Sequence, residues 1–274
     1  MTGPGPARRI LALGGGGFAN AVEDWPLDEL VPKLSARRRP RMCLLPTASG
    51  DPEHQIERFY RAFGPLGCEL SHVSLFRLSG RPPNLRRHLL AQDVVYVGGG
   101  SMLNLLALWR VHGVDSLLAE AWQKGVALVG VSAGSMCWFE AGISRTRGAP
   151  SPAIGLGLLP WTLSVHDASD PKRRAEYRTR IAEGMPGGFA VEDGVGLLFA
   201  DDELAEAVSA RPGARAYRVA LEGSQVVERP IEPRLLTAER TDPLPEPVSI
   251  TEFREAAQLR SRSSRNSLRS SPPV

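Results

Sequence analysis

Cysteine is nearly absent from this 274-residue chain, which has only Cys43, Cys68 and Cys137. They are odd in number and widely spaced, with no CxxC and no Cys/His cluster, so neither a disulfide framework nor a zinc site is indicated. No apolar run approaches the roughly 18 residues needed to cross a bilayer. The Gly/Pro-rich residues 1–9 lack the apolar stretch of a secretory leader. A strong charge of one sign is missing as well. The net charge is +3, lysine is scarce, and the abundant arginines are scattered, whereas a nucleic-acid footprint needs a clustered basic face. The nearest basic cluster, residues 36–41 (ARRRPR), reads as a loop before a strand. The expectation is a cytoplasmic protein with no metal, no cofactor, and neither nucleic acid nor membrane as partner. The length suits one sizeable domain whose core needs no covalent staples.

Four apolar runs are present, at 9–13, 41–46, 93–97 and 126–131, and stretches with helical spacing lie at 52–63, 102–109 and 115–124. Continuous apolar strands between amphipathic helices predict a mostly parallel central sheet covered on both faces, an α/β three-layer sandwich. In such sheets the functional loops gather at the carboxyl ends of the strands. Run 9–13 ends in Gly14-Gly15-Gly16-Gly17, run 93–97 in Gly98-Gly99-Gly100, and run 126–131 at Ser132. Further strands are expected at 68–75, 189–191, 195–199 and 203–209, a charged helix at 171–183, and a hairpin from 216–221 and 225–229 around Glu222-Gly223-Ser224. Residues 1–235 read as one α/β domain. Residues 236–274, rich in Pro, Arg, Ser and Glu, read as a flexible tail.

Gly130-Val131-Ser132-Ala133-Gly134 matches G-x-S-x-G. A serine at a sharp strand-to-helix turn projects its hydroxyl from the sheet, and only very small residues fit two before and two after it. A chance match somewhere in a chain this long has a probability of roughly 0.1. The apolar run before it and the helix expected over 133–139 raise the signal. One oxyanion donor would be the amide of Ala133, and the triple glycine 98–100 is placed to supply the second. No Lys follows that triple glycine in P-loop spacing. The 14–17 loop lacks a complete GxGxxG: Gly14 and Gly16 fit, but Ala19 takes the third place.

Of the five histidines, His54 and His88 lie in polar helical segments, His72 in a strand pattern and His112 in a helix–helix turn. His166 ends the strand pattern 163–165 and is the only histidine after the serine, so it is the candidate base. The order Ser, acid, His leaves one carboxylate between Ala133 and Val165, namely Glu140, which is taken as the acid. Its rivals are Asp167, Asp170, Glu192 and Asp193. Asp167 adjoins His166, and neighbours on a strand point to opposite faces. Asp170 before Pro171 reads as a helix N-cap.

Val97-Gly98-Gly99-Gly100 before a helix, the Ser132 pentapeptide, the downstream histidine and an Arg-rich helix together resemble peptidase family S51, which includes peptidase E and cyanophycinase. The likeness covers about residues 8–219. It implies a class I glutamine amidotransferase-like fold and a Ser/His/acid triad, with Ser132 as nucleophile, His166 as base, and Gly100 and Ala133 as oxyanion donors. It also implies an arginine downstream of the histidine that binds the substrate's aspartate, and Arg173, Arg174 and Arg178 occupy that region. The planar guanidinium fork suits a carboxylate. The family's aspartyl dipeptidases place an aspartate after the nucleophile helix, whereas this chain has Glu140, so the triad reads as Ser/His/Glu. The expected activity is a serine-type dipeptidase or exopeptidase acting on short peptides, with a preference for N-terminal Asp, in a monomer or homodimer. A cyanophycin-type hydrolase or esterase, and a non-catalytic amidotransferase-like binding protein, are the competing readings.

Overall fold

The computed structural model describes residues 7–19, 24–78 and 84–239, so residues 240–274 of the expected tail lie outside the described residues. The chain runs β1 (Arg9–Leu13), α1 (Trp25–Leu30), β2 (Arg41–Leu45), α2 (Glu53–Phe63), β3 (Glu69–His72), α3 (Leu85–Leu90), β4 (Val94–Val97), α4 (Met102–His112), α5 (Val114–Gln123), β5 (Ala127–Val131) and α6 (Ala133–Met136). It continues through β6 (Phe139–Ser144), β7 (Ser151–Ile154), β8 (Leu159–Val165), α7 (Pro171–Ala182), β9 (Gly188–Val191), β10 (Val195–Ala200), β11 (Glu203–Ser209), β12 (Ala216–Glu222), β13 (Gln225–Ile231) and β14 (Arg234–Leu235).

These strands form two sheets. The larger has the order β14-β11-β10-β1-β5-β4-β2-β3. Its β1, β5, β4, β2 and β3 are mutually parallel, while β10 pairs antiparallel with both β1 and β11. Alternate residues of each strand enter different cores. Ile10, Ala12, Val95, Val97 and Leu128 pack with Leu105 and Trp109 of α4, Leu118 of α5, and Leu163 and Phe189 of the second sheet. Leu11, Leu13, Tyr96 and Val129 pack with Trp25 of α1 and Ile56, Phe59 and Phe63 of α2. With both faces covered, β5 (ALVGV) is buried throughout, which is why such strands read as unbroken apolar runs.

The smaller sheet, β13-β12-β9-β8-β6-β7, is mixed. Only β8 pairs in parallel on both sides, with β6 and β9. Tyr177 and Ile181 of α7 cover its outer face against Ile143, Ala190 and Val219. The expected hairpin is present, with Glu222 opposite Gln225 across a two-residue loop.

Two local expectations fail. The strand expected over 68–75 stops at His72 and gives way to a 3-10 turn over Leu75–Arg77. The helix expected over 133–139 ends at Met136. There the chain turns to bury Trp138 beside Trp109, with ring centroids 5.9 Å apart, and Phe139 edge-on to Phe199 at 5.6 Å. Two fully buried aromatics outweigh another turn of helix, since each such ring buries on the order of 150–250 Å². The start of the expected tail lies against the body: Leu236 N–H donates to the Ser209 carbonyl at 2.7 Å and Glu239 N–H to Glu29 Oε2 at 2.7 Å. Among the described residues no helix is long and apolar enough to cross a membrane.

Candidate active site

Ser132 sits between β5 and α6 with φ 54° and ψ −114°. Such left-handed backbone is strained for a side-chain-bearing residue, and the surroundings hold it there. Its N–H donates to the Leu13 carbonyl at 3.1 Å, and its own carbonyl accepts from Ser135 and Met136 at 2.9 and 3.0 Å. A Cβ on Gly130 would collide with the Gly134 carbonyl, and one on Gly134 with the Val97 carbonyl. The spacing of the pentapeptide therefore follows from strand and helix touching on either side of the serine.

His166 follows β8 and also has positive φ, 57°. Its Nε2 lies 2.8 Å from Ser132 Oγ. Its Nδ1 hydrogen-bonds to Asp193 Oδ1. An ionised carboxylate can only accept, so Nδ1 carries the proton and Nε2 is left to accept from the serine hydroxyl. Asp193 Oδ2 accepts a second bond, from Ser169 Oγ at 2.6 Å. Burial raises the Asp193 carboxyl, but the hydrogen bonds from His166 and Ser169, together with the charges of His166 and Arg211, outweigh it and hold the group below the usual carboxylate range.

The acid beside His166 is therefore Asp193, and Glu140 is corrected. Strand pairing explains the difference. Val165 of β8 is level with Val191 of β9, and the two strands are parallel, so the residues that follow them emerge side by side. Glu140 instead lies in β6 with an exposed side chain, not at a helix end. Asp167, Asp170 and Glu192 are engaged elsewhere. Asp170 caps α7, accepting from Arg173 N–H at 3.2 Å. Asp167 is buried under Arg174, 3.4 Å from its Nη1, and burial pushes its carboxyl up to about 6 against the pull of that arginine. Glu192 accepts from the Arg215 N–H at 2.9 Å.

Ser132 opens onto a cleft of about 380 Å³ that Gly100, Ser101, Asn104, Arg145 and Arg173 help to line. Gly100 has φ 141°, and a Cβ there would strike the Ala48 backbone. Among the described residues neither the Gly100 nor the Ala133 amide has a backbone acceptor.

Of the three arginines named from sequence, only Arg173 reaches the cleft. It is largely buried, donates through Nη1 to the Val165 carbonyl at 3.1 Å, and lies 3.5 Å from Asp170. Burial lowers its guanidinium, while Asp170 opposes that shift. Arg174 and Arg178 pair instead with Glu228, at 2.7 and 2.8 Å. Sequence reasoning missed Arg145, which reaches the cleft from the β6–β7 loop and donates to Asp170 Oδ2 at 3.2 Å. It also missed Ser169 as the second partner of the acid. Among the described residues no group of three or more His, Cys, Asp or Glu side chains could hold a metal ion.

Peptidase family S51 matches residues 10–207, which is most of the chain. The chain belongs to peptidase family S51. An uncharacterized peptidase, YgaJ, from Bacillus subtilis (strain 168) is 41% identical over 232 residues, covering 84% of this chain and 99% of that protein. Among solved structures, a peptidase from an acI-B1 Actinobacterium superposes with a TM-score of 0.60 at 16% identity, covering 83% of this chain and 95% of the other. A Listeria monocytogenes EGD-e protein provisionally described as a peptidase E gives 0.50 at 13% identity, over 82% of this chain and 100% of the other. Those two likenesses bear on the fold, which is glutamine amidotransferase-like. As a member of S51 the protein is a serine peptidase.

Proposed function

We propose that this S51 peptidase hydrolyses short peptides with an acidic first residue through an acyl-enzyme on Ser132. The observation that carries the proposal is the chain of hydrogen bonds from Ser132 through His166 to Asp193, opening onto a cleft lined by Arg173. In this reading His166 Nε2 takes the hydroxyl proton as Oγ bonds to the carbonyl carbon. The amides of Gly100 and Ala133 hold the oxyanion, and losing one such donor typically costs about 100- to 1000-fold. The C–N bond breaks, and His166 passes the proton to the leaving amine. Water then attacks the ester, giving its proton to His166, and the acid departs as Ser132 recovers its hydrogen. Asp193 keeps the imidazole in the working tautomer and stabilises the imidazolium.

Size and charge favour a short, acidic substrate. A cleft of about 380 Å³ is at the small end of the roughly 300–1,000 Å³ common for small-ligand sites. Its cations are Arg145 and Arg173, and one carboxylate, Asp170, serves both, with Oδ2 3.2 Å from Arg145 Nη1 and 3.5 Å from Arg173 Nε. A substrate carboxylate fits there better than an ammonium group. The test is a dipeptide panel varied at the first residue, run on wild type and on Ser132→Ala, Arg173→Met and Arg174→Met. Ser132→Ala should fold and show no turnover. Arg173→Met should raise KM for Asp-first peptides by about 10- to 100-fold, the worth of one charge-assisted contact, with Arg174→Met near wild type. Undiminished turnover in Ser132→Ala would refute the acyl-enzyme, and cleavage of esters but no dipeptides would reassign the substrate class.

A further inference from the structure

The acid and base of the site stand on a glycine loop that takes no part in the chemistry. Gly14-Gly15-Gly16-Gly17 leaves β1 beneath the His166–Asp193 pair. A Cβ on Gly15 would press on the Asp193 carboxylate and lie 2.7 and 2.8 Å from Cε1 and Nδ1 of His166, so the pair fits only above a bare Cα. Backbone bonds then join the loop to the turn that bears Asp193. Gly194 N–H donates to the Gly15 carbonyl and Gly14 N–H to the Val195 carbonyl, both at 2.9 Å. From the end of β11, Ala210 N–H donates to the Gly194 carbonyl at 2.9 Å.

One side chain spans all three segments. Arg211, held at its own backbone by Ser209, donates from Nε and Nη2 to Oδ1 and Oδ2 of Asp24 at 2.7 and 2.8 Å. The Asp24 side chain is fully buried and packs against Gly16. The arginine stem lies over Gly194, where a Cβ would come within 2.6–2.8 Å of Cδ, Cγ and Nε. Burial raises the Asp193 carboxyl and its two hydrogen bonds lower it, and the Arg211 charge adds to the lowering side.

We propose that Arg211 is a positioning residue of the catalytic site: its fork on Asp24 clamps the Gly194 turn to the Gly14–Gly17 loop and so fixes Asp193 and His166 in register with Ser132. It touches neither substrate nor reacting atoms and acts through Asp193. The proposal rests on reading Ser132, His166 and Asp193 as the working triad. A lysine at 211 keeps the charge but loses the planar fork.

Two readouts on the full-length protein test it. One is the labelling of Ser132 by a fluorophosphonate, resolved into kinact and KI. The other is the downfield proton signal of His166 Nδ1–H, which reports the bond to Asp193 whether or not the serine reacts. In Arg211→Met and in Asp24→Asn, kinact should fall about tenfold or more with KI unchanged, because small misplacements of reacting groups are costly. The double variant should be no worse than the poorer single, since both remove one interaction. The His166 signal should move upfield or vanish in all three. A variant that melts lower yet labels at the wild-type rate and keeps the His166 signal would overturn the proposal and leave Arg211 a stability residue only. If Arg211→Met does not fold, Arg211→Lys decides in its place, with reduced kinact expected and wild-type kinact contradicting the clamp. A wild type that does not label at all refutes the triad reading, and the His166 signal in the variants then decides the clamp alone.

Discussion

The two sheets build their halves of the site by different means. On the larger sheet the proposed nucleophile is marked by a local sequence: Ser132 takes its left-handed backbone at the end of β5, between Gly130 and Gly134, neither of which has room for a Cβ. On the smaller sheet the proposed base and acid are brought together at long range. His166 and Asp193 are 27 residues apart in sequence, and they meet because parallel β8 and β9 end side by side. A local device tolerates changes elsewhere in the fold. A device made by register depends on every element that fixes the two strand ends, here including β1, β11 and the Arg211–Asp24 pair.

The largest expected effect that could break this contrast lies at the acid. Asp193→Asn should lower kcat by about 10⁴-fold, the order seen when a triad acid loses its charge and leaves the imidazole in the wrong tautomer. Glu140→Gln, a change on an exposed side chain of β6, should stay within about twofold, as surface changes away from special features usually do. Steady-state kinetics on both variants checks this. A crippled Glu140→Gln beside an active Asp193→Asn would return the acid to the nucleophile's own segment.

A smaller effect sharpens the same contrast through stability. Asp167 lies directly after His166, and burial raises its carboxyl in the fold to about 6, above an unfolded value of about 3.9. The folded protein therefore favours the neutral form. The stability from this group is fully present below the unfolded value and is lost as pH rises through about 6. Asp167→Asn imitates the neutral carboxyl, so it should raise Tm by a few degrees at about pH 7.5 and change little below about pH 4. Melting curves at both values check the sign. A lower Tm for the variant at the higher pH would mean that the ion pair with Arg174 outweighs burial.

The same division decides what is legible in the sequence. The parallel β1, β2, β4 and β5 show as apolar runs because both faces of their sheet are covered, and Ser132 shows because the small residues its turn requires, Gly130 and Gly134, lie within the same pentapeptide. His166 can be found as the single histidine after the serine. Asp193 is marked in sequence only by an Asp-Gly turn after the short apolar strand Gly188–Val191. Nothing local ranks it above Glu140, because the preference comes from the pairing of β8 with β9. The helix expected after Ser132 misleads in the same way. Whether Trp138 and Phe139 extend α6 or turn into a second sheet depends on Trp109 and Phe199, which lie far off in sequence. Arg173 cannot be told from Arg174 and Arg178 without Glu228, from β13, which takes the latter two.

The most direct test of the central claim is intact-mass and peptide mapping of the protein after fluorophosphonate treatment, with wild type and His166→Ala side by side. One adduct is expected in wild type, located at Ser132 in the segment between β5 and α6, and none at matched times in His166→Ala. An unmodified Ser132 in wild type, or equal labelling of the two proteins, would contradict it.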